Sequence, residues 1–174
     1  MKKRTMTRKY ERCPWAKSDL EIDYHDREWG RPEHNDLKLF DMIILEGLQA
    51  GLSWSGILKK RAGMREILDG FDPVRMSAYG PEKEAALMAD ERMPRNRPKV
   101  AALGRKALAF LATAAEFGSF DRYLWGFVDG RPIVNHWSNM EDIPAKTELS
   151  ERLSRDLKKR GFQFVGPVIC YAYM

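Results

Sequence analysis

Residues 36 to 52, DLKLFDMIILEGLQAGL, read as a helix that is apolar almost all the way round. Such a helix belongs at the centre of its fold. Asn35 and Asp36 supply N-cap oxygens, and Leu37, Leu39, Phe40, Met42, Ile43, Ile44, Leu45 and Leu48 follow. At about 100° per residue, Leu39, Met42, Ile43, Glu46, Gln49 and Ala50 share one arc, with Leu37, Phe40, Ile44, Leu48 and Gly51 opposite. Burial is expected on both sides.

That places a carboxylate, Glu46, inside apolar surroundings. Burying an ionised carboxylate alone is prohibitive, so Glu46 needs a cation, hydrogen-bond donors, a wet cleft or a proton. Two readings stay open: a core glutamate paired with an arginine, and a carboxylate facing a polar or cationic ligand in a pocket.

The rest of the chain also reads as helices. One is expected near residues 55 to 68, and Phe71-Asp72-Pro73 turns into a short one. Pro81 suits the first position of a segment running to about Ala89. The loop MPRNRPKV precedes a long alanine-rich helix that ends near Phe117 at Gly118. FDRYLWGFV, residues 120 to 128, is short and amphipathic, and residues 130 to 146 read as irregular loop. Thr147 caps a helix that stops at Gly161, and Gly166-Pro167 opens the last one. With no strand pair and no repeat, the expected fold class is all-α.

The 174 residues fit one compact domain. Six cations among residues 1 to 12, against Glu11, account for the whole net charge of +5, so the remainder is neutral. The arm reads as a flexible start that can also help hold a phosphate backbone. With no apolar run of about 18 residues and no signal-peptide core, neither membrane insertion nor secretion is expected. The cytoplasm is the default. Cys13 and Cys170 are not the framework of a small secreted protein.

Three local groupings carry chemistry. LKKRGFQFVGPVICYAYM, residues 157 to 174, is a glycine-flanked hairpin between two helices, with basic residues before it. Its free backbone N–H groups suit an anion, although similar turns join helices in ordinary bundles. Arg92, Arg95, Arg97 and Lys99 form a second basic cluster that also fits a solvated turn. Trp15, Tyr24 and Trp29 precede the Glu46 helix and Trp54 follows it. Such rings are commonly core, but lining a pocket they would stack on a flat, electron-poor base.

Cys13 and His25 are two possible metal ligands, where a closed zinc site needs four. Cys170, His34 and His136 add no second pair. Serine-hydrolase, Walker, dinucleotide and zincin motifs are absent.

Together, CPWAKSDLEIDYHDREWG at residues 13 to 30, LEGLQAGLSW at 45 to 54, NRPKV at 96 to 100 and the C-terminal segment resemble the DNA-3-methyladenine glycosylase I family. The likeness covers nearly everything after the arm. It implies an all-α helix-hairpin-helix bundle with a cleft, which flips an alkylated adenine out of duplex DNA and hydrolyses its glycosidic bond, leaving an abasic site.

By position, the resemblance gives Glu46 the recognition of the adenine edge and any catalytic part, and makes Trp15, Tyr24, Trp29, Gln49 and Trp54 base-binding. Gly51 and Leu52 fall in the turn approaching the vacated stack, Gly161 and Gly166 flank the DNA-gripping hairpin, and Arg97 is a phosphate candidate. Related enzymes with lyase activity carry a lysine where this chain has Val168, so a monofunctional hydrolase is implied.

In the family, Cys13 and His25 would be half of a structural zinc site completed beyond the hairpin, so either a C-terminal tail is missing or this member never closes the site. The chemistry itself needs no cofactor. The implied partners are alkylated double-stranded DNA and free 3-methyladenine as product, with the protein a monomer. The alternative is a non-catalytic helix-hairpin-helix module that binds damaged DNA.

Overall fold

A computed structural model describes residues 12–174. The basic arm expected over residues 1 to 12 lies, except for Arg12, outside the described residues. The chain divides into two compact units, Met1–Arg31 and Pro32–Met174. Among the described residues every regular element is helical, as the sequence led one to expect.

The first unit holds α1, Asp19–Arg27, which the sequence reading did not foresee. Ser18 caps it through the Glu21 amide while the Glu21 carboxylate returns to the Ser18 amide, so two otherwise unpaired donors are satisfied. Arg12 forks onto Asp26 at 2.8 to 3.0 Å and ties the start of the unit to this helix.

The second unit is built on α2, Asp36–Gln49, with Asn35 accepting from the Lys38 amide. It is in contact with α3, Trp54–Ile67, α6, Arg97–Phe117, α7, Phe120–Trp125, and α9, Pro167–Tyr173. Both of its faces are covered from Leu39 to Leu48, apart from half-buried Met42. Leu37, placed by the projection on an apolar arc, is exposed, because the first turn projects past the core.

Phe40, Phe110 and Phe120 form a contiguous cluster of tilted rings, with centroids 4.7 and 4.5 Å apart, on which Phe162 also packs. The short α4, Pro73–Ser77, and α5, Pro81–Ala89, both begin with the proline expected at a first turn and lie against α6. Between α7 and α8, Glu148–Lys159, the connection is irregular except for two short 3-10 turns, Gly126–Val128 and Met140–Asp142.

α8 closes with a Schellman motif. Gly161, at φ +96°, donates to Lys158 and Phe162 donates back to Leu157, while the Phe162 and Leu157 side chains are both buried. A residue with a Cβ is strained there, which is why glycine stands at the corner. α9 follows after residues 162 to 166, so the helix-hairpin-helix read from the sequence is present.

Candidate active site

Glu46 lies one turn from the end of α2 and is 4% exposed. The arginine partner that the bland reading required has gone elsewhere. Arg61 and Arg65 of α3 both bind Asp41, itself 3% exposed and one turn nearer the start of α2. Among the described residues the Glu46 carboxylate accepts no hydrogen bond and forms no ion pair. Burial therefore pushes its carboxyl up to about 7, and a Lys106 charge only partly offsets this.

Lys106, on α6, was not singled out in the sequence. It is fully buried and donates to the Ile43 carbonyl at 2.9 Å, one turn before Glu46. One acceptor satisfies an ammonium poorly, and burial pulls Lys106 down to about 7, against the favourable charges of Cys170 and Glu46. Glu46 thus faces a neighbour that favours its ionised form without neutralising it by contact. A buried carboxylate in this state binds best a cation or a donor-rich edge that displaces its proton.

The segment after Glu46 is shaped by its backbone. α2 stops at Gln49 rather than near residue 52, since Ala50 leaves helical geometry and Gly51 takes φ +77°. The Gln49 side-chain amide donates to the Leu52 carbonyl at 2.7 Å. Leu52 is left 47% exposed. Ser53 then caps α3, whose first residue, Trp54, packs partly buried against the core.

In the first unit, Trp15 sits 6.2 Å from Tyr24 and 5.4 Å from Trp29, ring centre to ring centre. Three of the four rings expected to bind a base are therefore brought together, with Tyr24 buried and Trp29 exposed. His25 stacks on Trp29 at 5.3 Å.

Cys13 and His25 are also adjacent: the Cys13 amide donates to His25 Nε2 at 3.3 Å, and Nδ1 lies 3.0 Å from Asp26. Both ring nitrogens are thus engaged within the protein. No group of three or more metal-ligating side chains occurs among the described residues, and the buried Cys170 thiol donates to the Val165 carbonyl. The structural zinc raised by the resemblance finds no support in these residues.

The expected basic cluster of residues 92 to 99 is dispersed. Arg92 is committed to Asp90 and Glu66, and Lys99 turns inward, leaving Arg95 and Arg97 exposed. At the hairpin, Arg160 is held by Glu116 and Asp156 and lies over Phe117 and Tyr123, so Lys158 and Lys159 are the exposed cations next to Gly161. The amides of Gln163, Phe164, Val165 and Gly166 have no acceptor among the described residues. A phosphate oxygen is one acceptor that fits such a run. No helix among the described residues is long and apolar enough to cross a membrane.

Comparison with known proteins places this geometry in a family. The family model for methyladenine glycosylases matches residues 15–174. The chain is 45% identical to DNA-3-methyladenine glycosylase 1 of Escherichia coli over 165 residues, covering 94% of this chain and 88% of that one. It superposes on a crystal structure of 3-methyladenine DNA glycosylase I with a TM-score of 0.91 and 44% identity, covering 94% and 91% of the two chains. A variant of 3-methyladenine DNA glycosylase I, solved in complex with 3-methyladenine, matches with a TM-score of 0.88 and 31% identity over 90% and 84%.

Proposed function

The chain belongs to the methyladenine glycosylase family, and from that premise we propose that it is a monofunctional DNA glycosylase that removes 3-methyladenine from alkylated duplex DNA. The observation that carries the reading is Glu46: a buried carboxylate on the central helix with no hydrogen-bond or ion-pair partner among the described residues.

Methylation at N3 places a positive charge on the base while it is joined to the sugar. The leaving group departs as neutral 3-methyladenine once the glycosidic electron pair enters the ring, so no acid has to protonate it first. Water attacks C1′ of the oxocarbenium-like sugar and gives its proton to solvent. Flipping the base costs a few kcal/mol, least for a damaged nucleotide. What the protein must add is selection, and Glu46 supplies it: its carboxylate accepts from the donor edge of the N3-methylated base and is stabilised most while that base carries its charge.

We assign base stacking to Trp15, Tyr24, Trp29 and Trp54, contact with the base to Gln49, the gap left in the duplex to Gly51 and Leu52, and phosphate contact to Arg97 and the Gly161 to Gly166 hairpin. Val168, exposed on α9, has no amine, so no Schiff base forms and the product strand keeps an unbroken abasic site. Zinc takes no part in this reading, since a structural site would need two ligands besides Cys13 and His25. The protein acts as a cytoplasmic monomer.

Incubation with methylated duplex DNA tests the proposal. Chromatography should detect released 3-methyladenine, and the strands should break only on later treatment with alkali. Tight binding to an abasic-site analogue without base release would favour the non-catalytic module.

A further inference from the structure

α6 sends Lys99 onto the end of α2, and this lysine has no part in the chemistry described above. Lys99 is 5% exposed, although the exposed Arg97 and Arg95 stand two and four residues before it. Its backbone is fixed by the Asn96 cap, whose side-chain oxygen accepts the Lys99 amide. Its ammonium donates to the Leu48 carbonyl at 2.7 Å and to the Ala50 carbonyl. These are carbonyls of the last turn of α2 and its cap, where helix bonding has run out and the helix dipole is negative.

The consequence is a turn held from two sides. Gln49 reaches forward to the Leu52 carbonyl from within the segment, and Lys99 grips the carbonyls on either side of Gln49 from another helix. Between these anchors Gly51 takes its left-handed conformation and Leu52 is held out toward solvent. The Ala50 amide donates to the Glu46 carbonyl, so the clamped segment is continuous with the residue that selects the base.

We propose that Lys99 is a positioning residue for the reaction on duplex DNA: by fixing the carbonyls of Leu48 and Ala50 it presents Leu52 as a rigid wedge for the space left by the flipped base. The inference rests on the glycosylase reading, in which this turn meets the duplex. A mobile turn would lose the wedge through conformational entropy while leaving base recognition by Glu46 in place.

A double-mutant cycle with Lys99→Met and Leu52→Ala tests it, measuring affinity for an abasic-site duplex, kcat/KM on methylated duplex, and affinity for free 3-methyladenine. Lys99→Met should lose about tenfold in both duplex measurements, by the sensitivity of such reactions to small misplacement, and stay within about twofold for the free base. Lys99→Arg should recover part of the loss, and Lys99→Met should cost little more once Leu52 is alanine.

Equal loss of free-base and duplex binding would mark a general structural role and overturn the proposal, as would additive effects in the cycle. Leu52→Ala, a change at an exposed side chain, decides the matter if Lys99→Met does not fold: wild-type abasic-duplex affinity in that variant removes the wedge and the proposal with it. Failure of the underlying reading is seen separately, as wild-type protein that does not prefer the abasic duplex to an intact one.

Discussion

Lys106 fills the space that a side chain on Gly47 would need: a Cβ built on Gly47 lies 2.1 Å from Lys106 Nζ. The glycine next to Glu46 is therefore there to admit a lysine from α6. The ammonium tip reaches the Ile43 carbonyl only because position 47 is bare. The Glu46 turn of α2 and the buried Lys106 of α6 thereby share one packing contact.

Gly47→Ala should destabilise the protein by about 1–3 kcal/mol, the usual cost of overpacking a core, because Lys106 must give up its carbonyl to make room. Thermal unfolding measures this. Lys106→Ala in the same chain should recover part of the loss, since the two changes share one space.

The pH dependence of stability follows from the same pair. Glu46 titrates near 7 in the folded protein against an ordinary value of 4.5, so between these the folded state holds the extra proton and stability falls as pH rises. Lys106 is lowered to about 7 from 10.5, so above neutrality the unfolded state holds the extra proton and stability rises with pH. Together they place a minimum near pH 7. Glu46→Gln should remove the falling limb, worth at most about 3 kcal/mol, and Lys106→Met the rising one. Denaturant unfolding from pH 5 to 10 reads both limbs, and an unchanged profile in Glu46→Gln would mean that Glu46 does not titrate in this range.

The hairpin glycines separate folding from binding. Gly161 holds φ +96°, so Gly161→Ala should lower stability by about 1 kcal/mol and loosen the turn. Gly166 is extended, and a Cβ there meets open space, so Gly166→Ala should unfold as the wild type does. If the DNA backbone approaches this face, Gly166→Ala will still bind the abasic duplex several-fold more weakly. Equal affinity would move the phosphate contact elsewhere.

Much of this was legible because α2 has a one-way pattern: an apolar sequence from Leu39 to Leu48 admits only a central helix, and a carboxylate within it demands an explanation. The hairpin was legible through Gly161, Gly166 and Pro167. α1 was missed although Ser18 and Glu21 form a capping box, because the sequence after it, with Asp23, His25, Asp26 and Arg27, lacks an apolar stripe.

Lys106 was missed, and Lys99 was read only as part of a basic cluster, for a different reason. Lys99 and Lys106 stand seven residues apart, on the α6 face that also carries Ala102, Leu103 and Phe110, and a lysine on a helix is read by default as solvated. Their acceptors, the carbonyls of Ile43, Leu48 and Ala50, are backbone atoms of another helix, which no side-chain pattern reports. Asp41 drew the arginines away from Glu46 in the same unreadable manner, through the packing of α3 on α2.

Titration of free 3-methyladenine, followed by tryptophan fluorescence, reads out whether Glu46 selects the base. Wild-type protein should show a saturable change that unmodified adenine does not reproduce, and folded Glu46→Gln should bind at least about tenfold more weakly, as expected for losing a charge-assisted hydrogen bond. Equal affinity of the two proteins for 3-methyladenine would contradict the account.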